Sequence, residues 1–376
     1  MMKKVFKAIS VIFGIALCFW IYVVNKEEVL QPTLDETPVS QLLTQTQNPD
    51  TPVSLQLGSA TKILNKKETV DDESNDKSDY IVECKLNHIT DYENLSNADI
   101  IDSFETSNSQ NKQLAHALYS ELTGEESRLD KLLKFNQRFP GNPIALEQML
   151  GLCTEVKDHP SCNQELVQQA ISVDGQNAAM WFAIASFYAS KDDPEKIKHA
   201  FRQIISAPLY QESFADYIEL YIDSLQGRPN EDFSTNALSA LGVVAAQPSF
   251  FNIISKLCTE KPEVDEEFSL LCLSLGETME SRGKTNITQM IGSAYQEYIF
   301  ELEGNDAAVQ ELEKKRKQNN VPISLFNQAT NLALFDQRLF RSWLNNVRNL
   351  GEHEAAQLIV EEAITLSKNP FYQPCP

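Results

Sequence analysis

From about residue 109 onward, apolar residues recur at intervals of three and four, in stretches of 12 to 18 residues separated by Pro, Gly, Asn and Asp. That spacing returns side chains to one face of a helix with 3.6 residues per turn, and the separators are residues that end helices. Runs of alternating β-branched residues, the mark of a half-buried strand, are nearly absent. The pattern predicts an all-α chain. Breaks are expected at Thr123 and Gly124, Pro140 to Pro143, Asp158 to Pro160, Asp174 and Gly175, Asp192 to Pro194, Pro208, Gly227 to Pro229, Pro248, Pro262, Gly283, Gly304, Pro322 and Gly351. Several carry capping logic: Asp193 precedes Pro194 at a first helical position, and Gly283 follows a helix end. Helices this short, joined by links this tight, pack as antiparallel neighbours.

The N-terminal pattern differs. Lys3, Lys4 and Lys7 precede an apolar run from Ala8 to Val24. A helix of about 20 residues spans about 30 Å, the thickness of a bilayer core. Trp20 and Tyr22 fall where an interfacial aromatic belt would lie, and Lys26, Glu27 and Glu28 follow the run. Residues 1–24 therefore read as a signal anchor whose leading lysines stay in the cytoplasm and whose remaining chain lies outside, in the periplasm of a bacterium. A cleaved signal peptide is the competing reading, but the run is long for one and no small-x-small site follows. A lipoprotein reading of Ile15 to Cys18 fits less well, because Phe19 and Trp20 continue the apolar run.

Residues 25–79 carry Pro32, Pro38, Pro49 and Pro52 among Gln, Thr and Asp, then the acidic run Val70 to Asp79. Such a composition cannot bury enough apolar surface to offset its ordering entropy, and a flexible coil of about 55 residues reaches roughly 40 Å end to end. Asp71, Asp72, Glu73, Asp76 and Asp79 lack the spaced calcium-loop pattern and read as a solvated linker. The folded part is then 80–376. Acidic residues exceed basic ones by 21 over the chain. That sign repels phosphate backbones and argues against a nucleic-acid partner.

The stretch Asn177 to Pro208 carries Trp181, Ile184, Ala185 and Tyr188, then Ile197, Phe201, Ile204 and Pro208. This succession resembles the Trp-x2-Leu-Gly-x2-Tyr, Ala-x3-Phe, Pro pattern of tetratricopeptide repeats. One unit upstream, Leu146, Met149, Leu150, Cys153, Cys162, Leu166 and Asp174 fall on corresponding positions. Near the end, Phe340, Trp343, Leu344, Val347, Gly351, Ala356, Val360, Ala363 and Pro370 do so again. Between 212 and 336 only the first-helix spacing persists, in Phe214, Tyr217, Ile218 and Tyr221 and in Phe251, Ile254 and Cys258. The resemblance implies stacked helix hairpins in a superhelical array, with these aromatics as core and with a groove that takes extended peptides.

Where the resembling repeats carry an aromatic in the first helix and a facing small residue in the second, this chain carries Cys153 and Cys162. The resemblance thus implies a disulfide between neighbouring helices, formed outside the cytoplasm. Cys258 and Cys272 repeat the arrangement at wider spacing. Cys84 and Cys375 remain, a pair by elimination alone, since six cysteines allow 15 pairings. Cys18, in the apolar run, has no partner in this scheme.

Motifs that carry chemistry are few. Ser281 to Thr285 has the Gly-Lys-Thr ending of a phosphate loop, but Thr278 stands where its first glycine belongs and no strand precedes it. Tyr210 to Phe214 resembles the segment around the catalytic acid of lytic transglycosylases, with Glu212 in the acid's place; Phe214 is one position early and no Gly-Leu-Met-Gln follows. The five histidines are scattered, and no zinc, cofactor or serine-hydrolase motif is present. Arg338, Arg341, Asn345 and Arg348 share one helix sector and, on the resemblance, face the groove, where guanidinium groups suit a peptide carboxylate. The same face also reads as a solvated basic surface offsetting an acidic array. Two functions follow as expectations: a membrane-anchored scaffold that binds a protein or peptide without catalysis or cofactor, or a cell-envelope glycan hydrolase using Glu212.

Overall fold

In the computed structural model the described residues are 80–84, 97–122, 124, 126–156, 158–227, 232–245, 251–263, 265–318 and 322–375. The expected anchor at 1–24 and the linker at 25–79, with Cys18 and the acidic run, lie outside them. No helix among the described residues is long and apolar enough to cross a membrane.

Among those residues the chain is all-α, with 16 helices and no strand. Helix α1 spans Asn97–Asp102 and runs into a 3-10 turn at Ser103–Thr106. This is earlier than the periodicity indicates, because one and a half turns are too short to show a period; Ile101 and Phe104 are nevertheless buried. Helices α2 (Gln110–Tyr119), α3 (Arg128–Arg138), α4 (Pro143–Glu155), α5 (Gln164–Asp174), α6 (Ala178–Ser190) and α7 (Pro194–Ser206) form three successive hairpins. Helices α8 (Phe214–Leu225), α9 (Phe233–Ala245), α10 (Phe251–Glu260), α11 (Glu266–Arg282), α12 (Asn286–Leu302) and α13 (Asp306–Gln318) follow. The array closes with α14 (Ile323–Ala333), α15 (Gln337–Leu350) and α16 (Glu352–Ser367).

The starts are chemically specified. Asn142, Asn177, Asp193, Asp265 and Thr285 each accept a hydrogen bond from a first-turn N–H, satisfying donors that helix ends leave unpaired. Ser127 and Asp130 form a reciprocal capping box at α3. The boundary between α14 and α15 carries neither Pro nor Gly and escapes the sequence pattern; Asp336 makes it, accepting from the N–H groups of Arg338 and Leu339.

Packing is that of a helical repeat up to α7 and then departs from it. Helix α4 packs on α6, so first helices stack on first helices. Eleven of the 13 residues of α6 are buried, including Trp181, Ile184, Ala185 and Tyr188, which places this almost wholly apolar helix at the centre. The next hairpin in space is not α8 and α9. Instead α10 packs on α6 and α11 on α7, with Phe182 edge-on to Phe251 and Phe201 edge-on to Phe268. Helix α8 turns back over the first helices α2 and α4. The Tyr119 hydroxyl donates to the Tyr217 carbonyl at 3.1 Å, and the Gln148 amide donates to the Tyr217 hydroxyl at 2.7 Å.

Helices α11 and α12 make the most intimate pair. A Cβ on Gly276 would lie 2.6 Å from the Gly292 carbonyl oxygen, and one on Gly292 would lie 2.6 Å from that of Gly276. Only the missing side chains let the two backbones approach so closely.

All three expected cysteine pairs are disulfides. Cys258 and Cys272 join α10 to α11 with Cα atoms 5.5 Å apart. Cys153 of α4 bonds to Cys162, which sits in the link two residues before α5 rather than inside it. Cys84 bonds to Cys375 across 291 residues, and Val82 N–H donates to Ser367 Oγ of α16 at 2.9 Å.

Candidate functional site

Three interhelix links meet at one place: 207–213 between α7 and α8, 283–285 between α11 and α12, and Gly351 between α15 and α16. They border a cleft of about 600 Å³. Its walls include Tyr210, Glu280, Arg282, Lys284, Arg348 and His353.

Glu212 holds the first two links together. Its carboxylate accepts from the backbone N–H groups of Lys284 and Thr285, at 2.5 and 2.8 Å, and from the hydroxyls of Thr285 and Thr288. Thr285 is also the N-cap of α12. The Gly-Lys-Thr ending therefore does hold an anion at a helix N-terminus, where the dipole and unpaired N–H groups favour one, and that anion is the chain's own Glu212. The two segments that each resemble an enzyme motif turn out to be partners of one another.

Glu352 fastens the third link. Its side chain accepts from Asn286 N–H at 2.5 Å, and its own N–H donates to the Lys284 carbonyl at 2.7 Å. Burial pushes the Glu352 carboxyl up, and the nearby Glu212 charge adds to this, against the pull of the Asn286 N–H. Gly351 adopts φ +101°, a left-handed conformation that favours glycine, and a Cβ there would come within 3.2 Å of the Lys284 carbonyl oxygen.

Behind Glu212 lies a second carboxylate. Glu147 of α4 accepts from the Ser213 hydroxyl at 2.7 Å, and the charges around it are Glu212, Asp174 and Asp216, all of its own sign. Burial, with those charges adding to it, pushes Glu147 up to about 7, while the Ser213 hydroxyl works in the opposite direction. Tyr210, in the cleft wall, is also raised by burial and then by Glu212.

The basic face expected on α15 is present, but two of its arginines are engaged within the chain. Arg348 donates to Asp216 at 2.8 Å and to Glu219, and Arg341 donates to Asp223 at 2.6 Å. The acidic residues Asp216, Glu219 and Asp223 form a stripe along α8, so these guanidinium groups hold α15 to α8. Arg338 and Asn345 are exposed, and the Asn345 side chain accepts from Asn349. Of the four, Arg348 lines the cleft. Asp216 and Asp223 share the seven-residue spacing of Arg341 and Arg348, a match that is compatible with the pairing but does not by itself identify it.

Among the described residues no group of three or more His, Cys, Asp or Glu side chains is placed to hold a metal ion. His159 lies 3.6 Å from Asp130 and accepts from Ser161 N–H. Comparison of the chain with protein-family models, with curated proteins and with solved structures finds no match.

Proposed function

We propose that this protein is a membrane-anchored, tetratricopeptide-like scaffold that binds a protein or peptide partner on the outer side of a bacterial inner membrane, without catalysis of its own. The observation that carries the reading is the meeting of three interhelix links around one cleft of about 600 Å³, within the size range of specific ligand sites. Helix α8 covers first helices α2 and α4, where a tetratricopeptide array would take an extended peptide. The binding mouth is therefore assigned to the link edge and not to that inner face.

Three disulfides support an oxidising compartment. The scaffold reading is also favoured over glycan hydrolysis by Glu212, whose carboxylate is engaged by four donors in a helix-capping role. A general acid must present a proton to a substrate oxygen, and this carboxylate turns its oxygens to donors of its own chain.

Crosslinking in intact cells, followed by mass spectrometry of what co-purifies, tests the function. Recovery of a defined partner bound through residues of the repeat domain supports the scaffold. Peptidoglycan clearing that disappears in Glu212→Gln would replace it with the hydrolase. A fluorescent reporter at the C-terminus that matures only in the cytoplasm must stay dark; a bright signal removes the compartment assignment.

A further inference from the structure

We infer that the cleft takes a carboxylate, that of a peptide C-terminus, between Arg282 and Lys284; this deepens the scaffold reading and rests on it. The first ground is the state of these two cations. Arg282 donates to the Ala207 carbonyl at 2.7 Å, and Lys284 Nζ donates to the Asn349 carbonyl at 2.8 Å. Each is thus steadied by a neutral main-chain oxygen, one from the link before α8 and one from the last turn of α15. Among the described residues no carboxylate forms an ion pair with either, whereas Arg341 and Arg348 are both paired. A guanidinium has five donors and an ammonium three, so both retain donors for an incoming anion.

The second ground is charge contrast. In a chain with a net charge of −21, the residues lining this cleft include three cations, Arg282, Lys284 and Arg348, and only two carboxylates, Glu280 and Glu354. Arg348 is paired with its α8 carboxylates, which leaves Arg282 and Lys284 against Glu280, turned to the Gln296 amide, and the exposed Glu354. The half-buried cations of the lining that carry no carboxylate partner are Arg282, at the end of α11, and Lys284, in the link after it, in a recess whose walls raise the strength of ionic contacts above that in open water. The fork of Arg282 matches the two oxygens of a carboxylate.

The third ground is the rim. Leu209, in the link before α8, and Leu350, at the end of α15, line the same cleft and are 50% and 45% exposed. Apolar side chains beside a charged anchor suit a peptide that ends in a carboxylate and carries an apolar residue near that end. This site is distinct from the inner face of the array, and its cations are not those expected from the basic face of α15.

The test pans a library of random hexapeptides, displayed with free C-termini, on the full-length protein in detergent. Recovered peptides are resynthesised as acids and as amides and titrated by fluorescence anisotropy. The acid form is expected to bind about tenfold or more tightly than the amide, and the double variant Arg282→Gln, Lys284→Gln to lose about tenfold or more. Ser281→Trp, an exposed position that lines the cleft, blocks it without touching either cation and must lower binding similarly; it decides the matter if the double variant fails to fold. Inorganic phosphate is titrated alone as a second probe. Equal binding of acid and amide, binding indifferent to the cleft variants, no enrichment, or phosphate binding without peptide enrichment each overturns the inference. A partner crosslinked in cells whose capture is unchanged by these variants would sink the cleft assignment and leave the scaffold standing.

Discussion

Glu147→Gln is expected to stabilise the folded domain at alkaline pH and to leave it unchanged in acid. In the folded chain burial and three surrounding carboxylates raise Glu147 from 4.5 to about 7. Between those values the folded protein holds a proton that the unfolded chain has released, so stability falls as pH rises through that window. Below 4.5 both states are protonated and the effect vanishes. Above about 7 the whole difference opposes folding, about 3 kcal/mol at 1.36 kcal/mol per pH unit. Glutamine keeps an oxygen to accept from the Ser213 hydroxyl and never ionises, so it removes this dependence. Urea melts of wild type and variant at about pH 4, 5.5, 7 and 8.5, with disulfides intact, measure the difference. The variant must match the wild type at the lowest pH and exceed it by a gap that opens through neutrality. Parallel pH profiles, or a variant weaker than the wild type at the most alkaline point, refute the reasoning.

Other expectations follow from single contacts. Replacing Cys153 and Cys162 by Ala reopens a nine-residue separation and costs about 2 to 3 kcal/mol on chain-entropy grounds, read as a lower urea midpoint. Gly292→Ala drives a methyl into the Gly276 carbonyl oxygen and the Glu280 nitrogen, each 2.6 Å away, and lowers stability by about 1 to 3 kcal/mol; a midpoint equal to wild type would remove the close-approach argument. Arg348→Ala leaves Asp216 and Glu219 without that cation and costs about 2 kcal/mol in the same melts, whereas exposed Arg338→Ala stays within about 0.5 kcal/mol.

Much of the fold is legible in the sequence because local chemistry makes it. Asp193 with Pro194 starts a helix whatever surrounds them, and Trp181, Tyr188 and Phe201 are buried because any stacked hairpin needs an apolar stripe. The return of α8 over α2 and α4 is not legible, because nothing near Phe214 to Leu225 says which helices it will meet. Its acidic stripe and the basic face of α15 can be read singly; that they face each other is a fact of distance, with 132 residues between Asp216 and Arg348. The cleft has the same character. Glu212 and the Gly-Lys-Thr ending look like fragments of two enzymes, and only the fold shows that one is the anion held by the other. Arg282 and Lys284 gain significance from the main-chain oxygens of Ala207 and Asn349, which no motif records.

The bond between Cys84 and Cys375 also governs how the domain meets mechanical load. A pull entering through the segment before Cys84 passes straight across the sulfur bridge to Cys375, bypassing 291 residues of chain. Stretching the chain from that side drags the array as a body without peeling its helices apart. Once the bridge is reduced, the same tug acts first on the seam between residues 80–84 and α16, where Val82 is held by Ser367.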